Sequence, residues 1–375
     1  MSGNNVVDAP KKRTARLRWR HGIVLAPLLL AACLSTPQPG GPTPDVVRAE
    51  ILRHMPARTG DADGWAADIQ TAFAEQGIVP NEENICAVMA VIAQESGFAA
   101  DPVVPSLPAI ARREIDRRAA AVHVPAFMVD AALALRSTDG RTYAQRLRGV
   151  HTERELSELY EDLVGRVPLG GRLFGDHNPV QTGGPMQVSV PFAESRARGY
   201  PYPVRGSIRD EVFTRRGGLY FGIMHLLGYD TPYARKVSRF ADYNAGWYAS
   251  RNAAFQNAVA VATQRTLALD GDLLAPGAPL DRPGQTEQAV RALAGELGMD
   301  DGAIRAALSQ ADRLEFNDTR LFHAVFALAE RRAGKALPRE MLPGIVLESP
   351  KITRDLTTAW FATRVNDRYQ RCLAR

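Results

Sequence analysis

From Asp45 onward, apolar residues return every three or four positions and no stretch alternates them at every second, which commits the chain to helices packed by their apolar faces. Val46, Val47, Ile51 and Leu52 open the pattern and Trp65, Ile69 and Phe73 continue it, with Gly60 and Gly77 as expected stops. Further helices are expected at about 82–98, 106–120, 126–136, 152–164, 208–227, 233–242 and 247–265. Residues 270–284, rich in glycine and proline, read as a boundary. Beyond it, 286–298, 302–312, 319–333 and 352–373 form a second helical group. The fold class is therefore mainly α, without internal repeats.

The amino-terminal segment is of another kind. Six of the 46 basic residues and one of the 41 acidic residues lie in 1–32, so this stretch carries the whole net charge of +5 and leaves 40 of each sign behind. A neutral body offers no general footprint for nucleic acid. The basic segment runs into Ile23-Val-Leu-Ala-Pro-Leu-Leu-Leu-Ala-Ala32, ten residues with Pro27 inside, too short for a bilayer core that needs about 20. It reads as an export signal. Leu30-Ala31-Ala32-Cys33 resembles the bacterial lipobox, which implies cleavage after Ala32 and acylation of Cys33. Leu34 in the next position implies, by the same resemblance, the outer membrane and its periplasmic face. Each buried methylene would add about 0.8 kcal/mol to the anchorage. Residues 33–44, Pro- and Gly-rich, are an expected tether.

Without Cys33, two cysteines remain, Cys86 and Cys372. In an oxidising compartment they could pair, closing a long loop for roughly 5 kcal/mol at most. Equally, Cys86 could be a buried free thiol and Cys372 part of a fraying tail.

Asn81 is placed to cap a helix whose first turn holds Glu82 and Glu83. Ile85, Val88, Met89 and Ile92 give this helix an apolar stripe, and at 100° per residue Glu95 falls at its margin, near the C-terminal end. Burial and the negative end of the helix dipole both disfavour the charged carboxylate, the environment a general acid needs at neutral pH.

Three segments then follow in order: Gln94-Glu95-Ser96-Gly97-Phe98, Gly184-Pro185-Met186-Gln187-Val188 and Asp242-Tyr243-Asn244-Ala245-Gly246. Together they resemble the motifs of lytic transglycosylases and goose-type lysozymes, usually Glu-Ser-x-Phe, Gly-Leu-Met-Gln and Ala-Tyr-Asn-Ala-Gly. The resemblance implies a lysozyme-like helical domain over 45–268, gripping a peptidoglycan strand. It makes Glu95 the single acid/base, Ser96 a residue that orients the glycan, Met186 and Gln187 the cleft floor, and Tyr243 and Asn244 neighbours of the acid. In that family the attacking hydroxyl belongs to the cleaved N-acetylmuramic acid, so the product ends in a 1,6-anhydro sugar. As a whole, the chain is also similar to a proteobacterial lipoprotein family with no assigned activity.

Two departures from the pattern stand out. The first two motifs are far apart in the chain, which requires a looped-out helical insertion at about 101–172, and Pro185 replaces the usual leucine. A hydrolysing enzyme would need a second carboxylate about 6.5–9.5 Å from the first if it inverts. Asp176 is the candidate, while Ser189 occupies the place where goose-type enzymes often have aspartate. Transglycosylation is favoured over hydrolysis, and a glycan-binding or scaffolding lipoprotein without catalysis is the alternative. No cofactor is expected. Histidines are scattered, and Asp61-Ala-Asp63-Gly64 lacks the later ligands of a calcium loop, so no metal is expected. Residues 285–375 read as a C-terminal helical extension with nothing catalytic, docked through Trp360 and Phe361.

Overall fold

The computed structural model describes residues 41–166, 178–347 and 356–375. Cys33, with the leader and most of the tether, and Asp176 lie outside the described residues. The described chain is mainly helical, with seventeen α-helices and little strand. No helix among the described residues is long and apolar enough to cross a membrane.

α1 (Pro44–His54) starts on a proline that needs no amide partner, and its buried Val47, Ile51 and His54 fall on one face. It stops two residues before Pro56, well ahead of Gly60. α2 (Ala62–Glu75) buries Trp65, Ile69 and Phe73, as their spacing requires, and Gly77 follows at φ +64°. α3 (Glu82–Glu95) is capped by Asn81, whose side chain accepts from the amide of Asn84 at 2.8 Å. Its apolar surface is wider than one stripe. All eight residues from Ile85 to Ile92 are buried, because helices close around α3 on several sides.

The insertion builds its own small core from α4 (Leu107–Ala121), α5 (Ala126–Ala134), α6 (Tyr143–Arg148) and α7 (Glu153–Gly165). Capping boxes at Thr142/Gln145 and Thr152/Glu155 fix the starts of α6 and α7. A two-residue antiparallel hairpin follows, β1 (Thr182–Gly183) against β2 (Val188–Ser189), leading into α8 (Val190–Ser195).

The helix expected over 208–227 is two helices, α9 (Ile208–Val212) and α10 (Arg215–Leu227). Ser207 and Thr214 each cap one, accepting from the amides of Asp210 and Gly217. α11 (Lys236–Ala245) and α12 (Ala249–Thr263) come next. The residues after Ala254 enter a second core with α13 (Gln285–Arg291), α14 (Ala294–Leu297), α15 (Asp301–Leu308), a 3₁₀ turn at Leu314–Asp318 and α16 (Arg320–Ala333).

α17 (Thr358–Leu373) does not stay with that second group. It packs against α3 and α11, sending Phe361, Val365, Tyr369 and Cys372 into the first core. Trp360 stays on the surface, 37% exposed. Cys372 forms a disulfide with Cys86 of α3, the two Cα atoms 5.5 Å apart.

Candidate active site

Glu95 is the last residue of α3 and is half-buried. Behind it the chain turns sharply. The amide and the hydroxyl of Ser96 both donate to the carbonyl of Ile92, at 3.0 and 3.2 Å, so Ser96 closes the helix. Gly97 and Phe98 then take left-handed φ of +59° and +67°, and Phe98 lays its ring edge-on to Trp65 with centroids 5.4 Å apart. A phenylalanine in that region is strained unless its surroundings hold it.

The second segment forms the tip of the β1–β2 hairpin and is pressed against α10. A Cβ on Gly183 would stand 2.2 Å from the Phe213 ring, and one on Gly184 would stand 2.2 Å from the carbonyl oxygen of Val212. Gly218 and Gly222 of α10 make room in return, for Pro185 and Met186. The Met186 side chain is fully buried there, so it fills the core and gives no floor to a cleft. Gln187 remains partly open at φ +52°, its amide donating to the Gly184 carbonyl at 3.3 Å while its oxygen faces the Thr182 hydroxyl at 3.4 Å.

The third segment ties the other two together. Tyr243 is buried and its phenol donates to the Met186 carbonyl at 2.6 Å. Burial and then the charge of Glu95 push the Tyr243 hydroxyl well above its ordinary range, so it stays a donor. Tyr243 thus holds the hairpin tip, and the charge of Glu95 acts on its hydroxyl. Asn244 is exposed, and its side-chain oxygen accepts from the Thr358 hydroxyl at 2.8 Å, which joins the motif to α17.

Asp242, where the motif usually has alanine, is the anchor of this segment. Its carboxylate is fully buried and accepts from the Tyr229 and Tyr233 hydroxyls at 3.1 and 2.7 Å and from the amides of Tyr248 and Ser250 at 2.9 and 2.7 Å. Burial raises its pKa, opposed by these hydrogen bonds. Such a carboxylate fixes the α11–α12 turn and cannot serve a water molecule.

Sequence reasoning missed a second group beside Tyr243. His225 sends Nε2 to the Tyr243 carbonyl at 3.1 Å, which fixes the proton on that nitrogen, while Nδ1 has no hydrogen-bond partner among the described residues. Burial lowers its pKa to about 4, so the ring is neutral. Phe192 and Trp247 pack around it, and Arg196 stands 4.9 Å from the Trp247 ring centre. The signal available was the Gly-Trp-Tyr sequence at 246–248, directly after the third motif.

One group of metal-type side chains is present among the described residues, His54 with Cys86 and Cys372. Both sulfurs are joined in the disulfide, and the imidazole Nδ1 rests 3.6 Å from each. Asp61 of the incomplete calcium-like run is paired with Arg215 instead.

The chain belongs to the family described as "Protein of unknown function (DUF1615)", whose model matches residues 58–375. It is similar to the uncharacterized protein YaiW of Escherichia coli (strain K12), 54% identical over 353 residues, which cover 93% of this chain and 96% of that protein. No solved structure matches it.

Proposed function

We propose that this chain is a peptidoglycan lytic transglycosylase with a lysozyme-like core, held by acylated Cys33 on the periplasmic face of the outer membrane. The observation that supports this reading most is the bond by which the Tyr243 phenol grips the Met186–Gln187 turn, while the charge of Glu95 acts on that same hydroxyl. In this reading Glu95 protonates the glycosidic oxygen between N-acetylmuramic acid and N-acetylglucosamine. It then takes the proton of the muramyl 6-hydroxyl as that oxygen closes the 1,6-anhydro ring, and no water is consumed. Gln187 offers the partly open amide for a sugar hydroxyl. Tyr243 holds the turn and leaves no second negative charge beside the acid. Ser189 supports transglycosylation over hydrolysis, because its hydroxyl accepts from the Phe192 amide at 3.4 Å as the cap of α8.

The test is to incubate the full chain with purified peptidoglycan and resolve the soluble muropeptides. Anhydro ends are expected from the parent protein and a loss of about 10²- to 10⁴-fold from Glu95→Gln, the range a general acid contributes. Equal release by the variant would sink the assignment.

One observation favours a non-catalytic glycan-binding role instead. Tyr243 and Asn244 already spend their polar groups on Met186 and Thr358, so neither hydroxyl nor amide oxygen is free for a sugar. Co-sedimentation with peptidoglycan, without cleavage at any pH tried, would select that reading.

A further inference from the structure

α17 carries arginine at 364, 368 and 371, whose steps of four and three residues place them on one helix face, and Arg375 follows just after the helix ends. Asp367 is the one acid of the helix. Among the described residues no ion pair involves these four; Arg364 lies over the Trp360 ring and Arg368 donates to the Arg364 carbonyl. Burial and the charges of Arg364 and Arg371 hold Arg368 below its ordinary range, with Asp367 and Glu95 in part opposing. Positive charge is thus stacked here without an ion pair among the described residues, and within electrostatic reach of the candidate acid.

Below the stripe is a recess of about 220 Å³. Arg368, Arg371 and Arg375 form its rim, while Met89, Ala93 and Phe98 give it an apolar floor. The Cys86–Cys372 disulfide fixes the helix that carries the rim onto the helix that carries Glu95. A volume of this size takes one side chain and not a run of sugar rings. Guanidinium groups in a row select carboxylates.

We propose that the arginine face of α17 is a subsite for the carboxylate-bearing peptide stems of the glycan, seating one stem beside Glu95. This rests on the reading of Glu95 as facing a peptidoglycan strand. It adds what that reading lacks, a reason for the chain to tell peptide-bearing from naked glycan.

The experiment measures binding of the full chain, in detergent, to peptidoglycan sacculi before and after an amidase has removed the stems. Glu95→Gln serves as background so that strands stay intact. Stem-bearing sacculi should bind roughly tenfold more tightly than stripped ones, with the difference fading as salt rises. The triple variant R364Q/R368Q/R371Q should lose that difference while binding stripped strands unchanged and melting at the same temperature, and the matching lysine variant should keep part of it. A preference for stems that survives the loss of charge overturns the subsite, as does the absence of any preference in the background protein. The two failures separate cleanly. Anhydro ends released without stem preference leave catalysis standing and remove the subsite; arginine-dependent stem preference without anhydro ends does the reverse; no binding to either form removes both.

Discussion

Around the first core four non-glycine residues take positive φ: Asp61 at the start of α2, and Phe98, Gln187 and Tyr248, each within or just past one of the three motif segments. In the second core, from Ala254 to Ala329, one such residue occurs, Gln264 at the end of α12. Buried charge is handled alike in both: Glu211, beside the first core, accepts from Arg216 at 2.9 and 2.7 Å and is held below the usual carboxylate range. Glu287 is fully buried, yet Arg305 and Arg291 both donate to it and hold it below the usual carboxylate range against the pull of burial. Arg251, buried just before this core begins, spends its guanidinium on the Arg313 and Ala311 carbonyls and on Asn252. Stacked and edge-on Phe255, Phe316, Phe322 and Phe326 fill the space between. What separates the two is therefore backbone strain and the partly open side chains that the first core keeps at its motif segments. Strain of this kind collects at functional sites, since only a rigid surround can hold it.

The largest effect expected on that contrast comes from the disulfide. In the loop-entropy view, a closure spanning 286 residues stabilises by roughly 4 kcal/mol, somewhat below the upper figure because residual structure in the unfolded chain reduces it. Cys86→Ser with Cys372→Ser should remove that amount. Hydrogen exchange would show where: amides of α3 and α17 should lose protection, while those of α16 keep theirs. Equal loss in α16 would mean that the two cores open together, and the division drawn between them would fail.

A smaller effect follows from His225. The folded ring has its pKa near 4 and the unfolded one near 6.5. Between these values the unfolded chain binds a proton and the folded chain does not. Stability is therefore fully present above pH 6.5 and falls as the pH drops towards 4, by roughly 3.5 kcal/mol at most from this group at about 1.4 kcal/mol per unit. His225→Phe should flatten that part of the profile in denaturant titrations. An unchanged profile in the variant would show that His225 is not neutral in the fold.

Much of this arrangement was legible in the sequence, for identifiable reasons. Asn81 and the acids after it set the start of α3, and Trp65, Ile69 and Phe73 set the buried face of α2, because capping and periodicity are local. The break at Phe213–Thr214 was also written locally, in the Ser207/Asp210 capping box and the Thr214 cap, but a continuous apolar pattern hid it. What could not be read was long-range partnership. Amphipathic α17 announces a buried face without saying that α3 covers it, and Met186 in a motif does not announce that Gly222 leaves room for its side chain. Asp242 could have been noticed, since a charge in place of alanine must find partners, and four tyrosines lie within thirteen residues on either side.

The smallest effect concerns Gln187, and it tests the strained side of the comparison directly. At φ +52° the residue is left-handed, which costs about 1 kcal/mol for a side chain bearing a Cβ and nothing for glycine. Gln187→Ala keeps the strain and loses the hydrogen bond to Gly184. Gln187→Gly loses the same bond and removes the strain, but gives the unfolded chain about 0.5–1 kcal/mol of extra entropy. The glycine variant should therefore match or slightly exceed the alanine variant in stability, whereas at a right-handed helical position it would trail by about 1 kcal/mol. Both should bind glycan less well than the parent if the amide reads a sugar hydroxyl. An alanine variant clearly more stable than the glycine one would mean that the hairpin tip relaxes in solution, and strain would no longer distinguish the first core from the second.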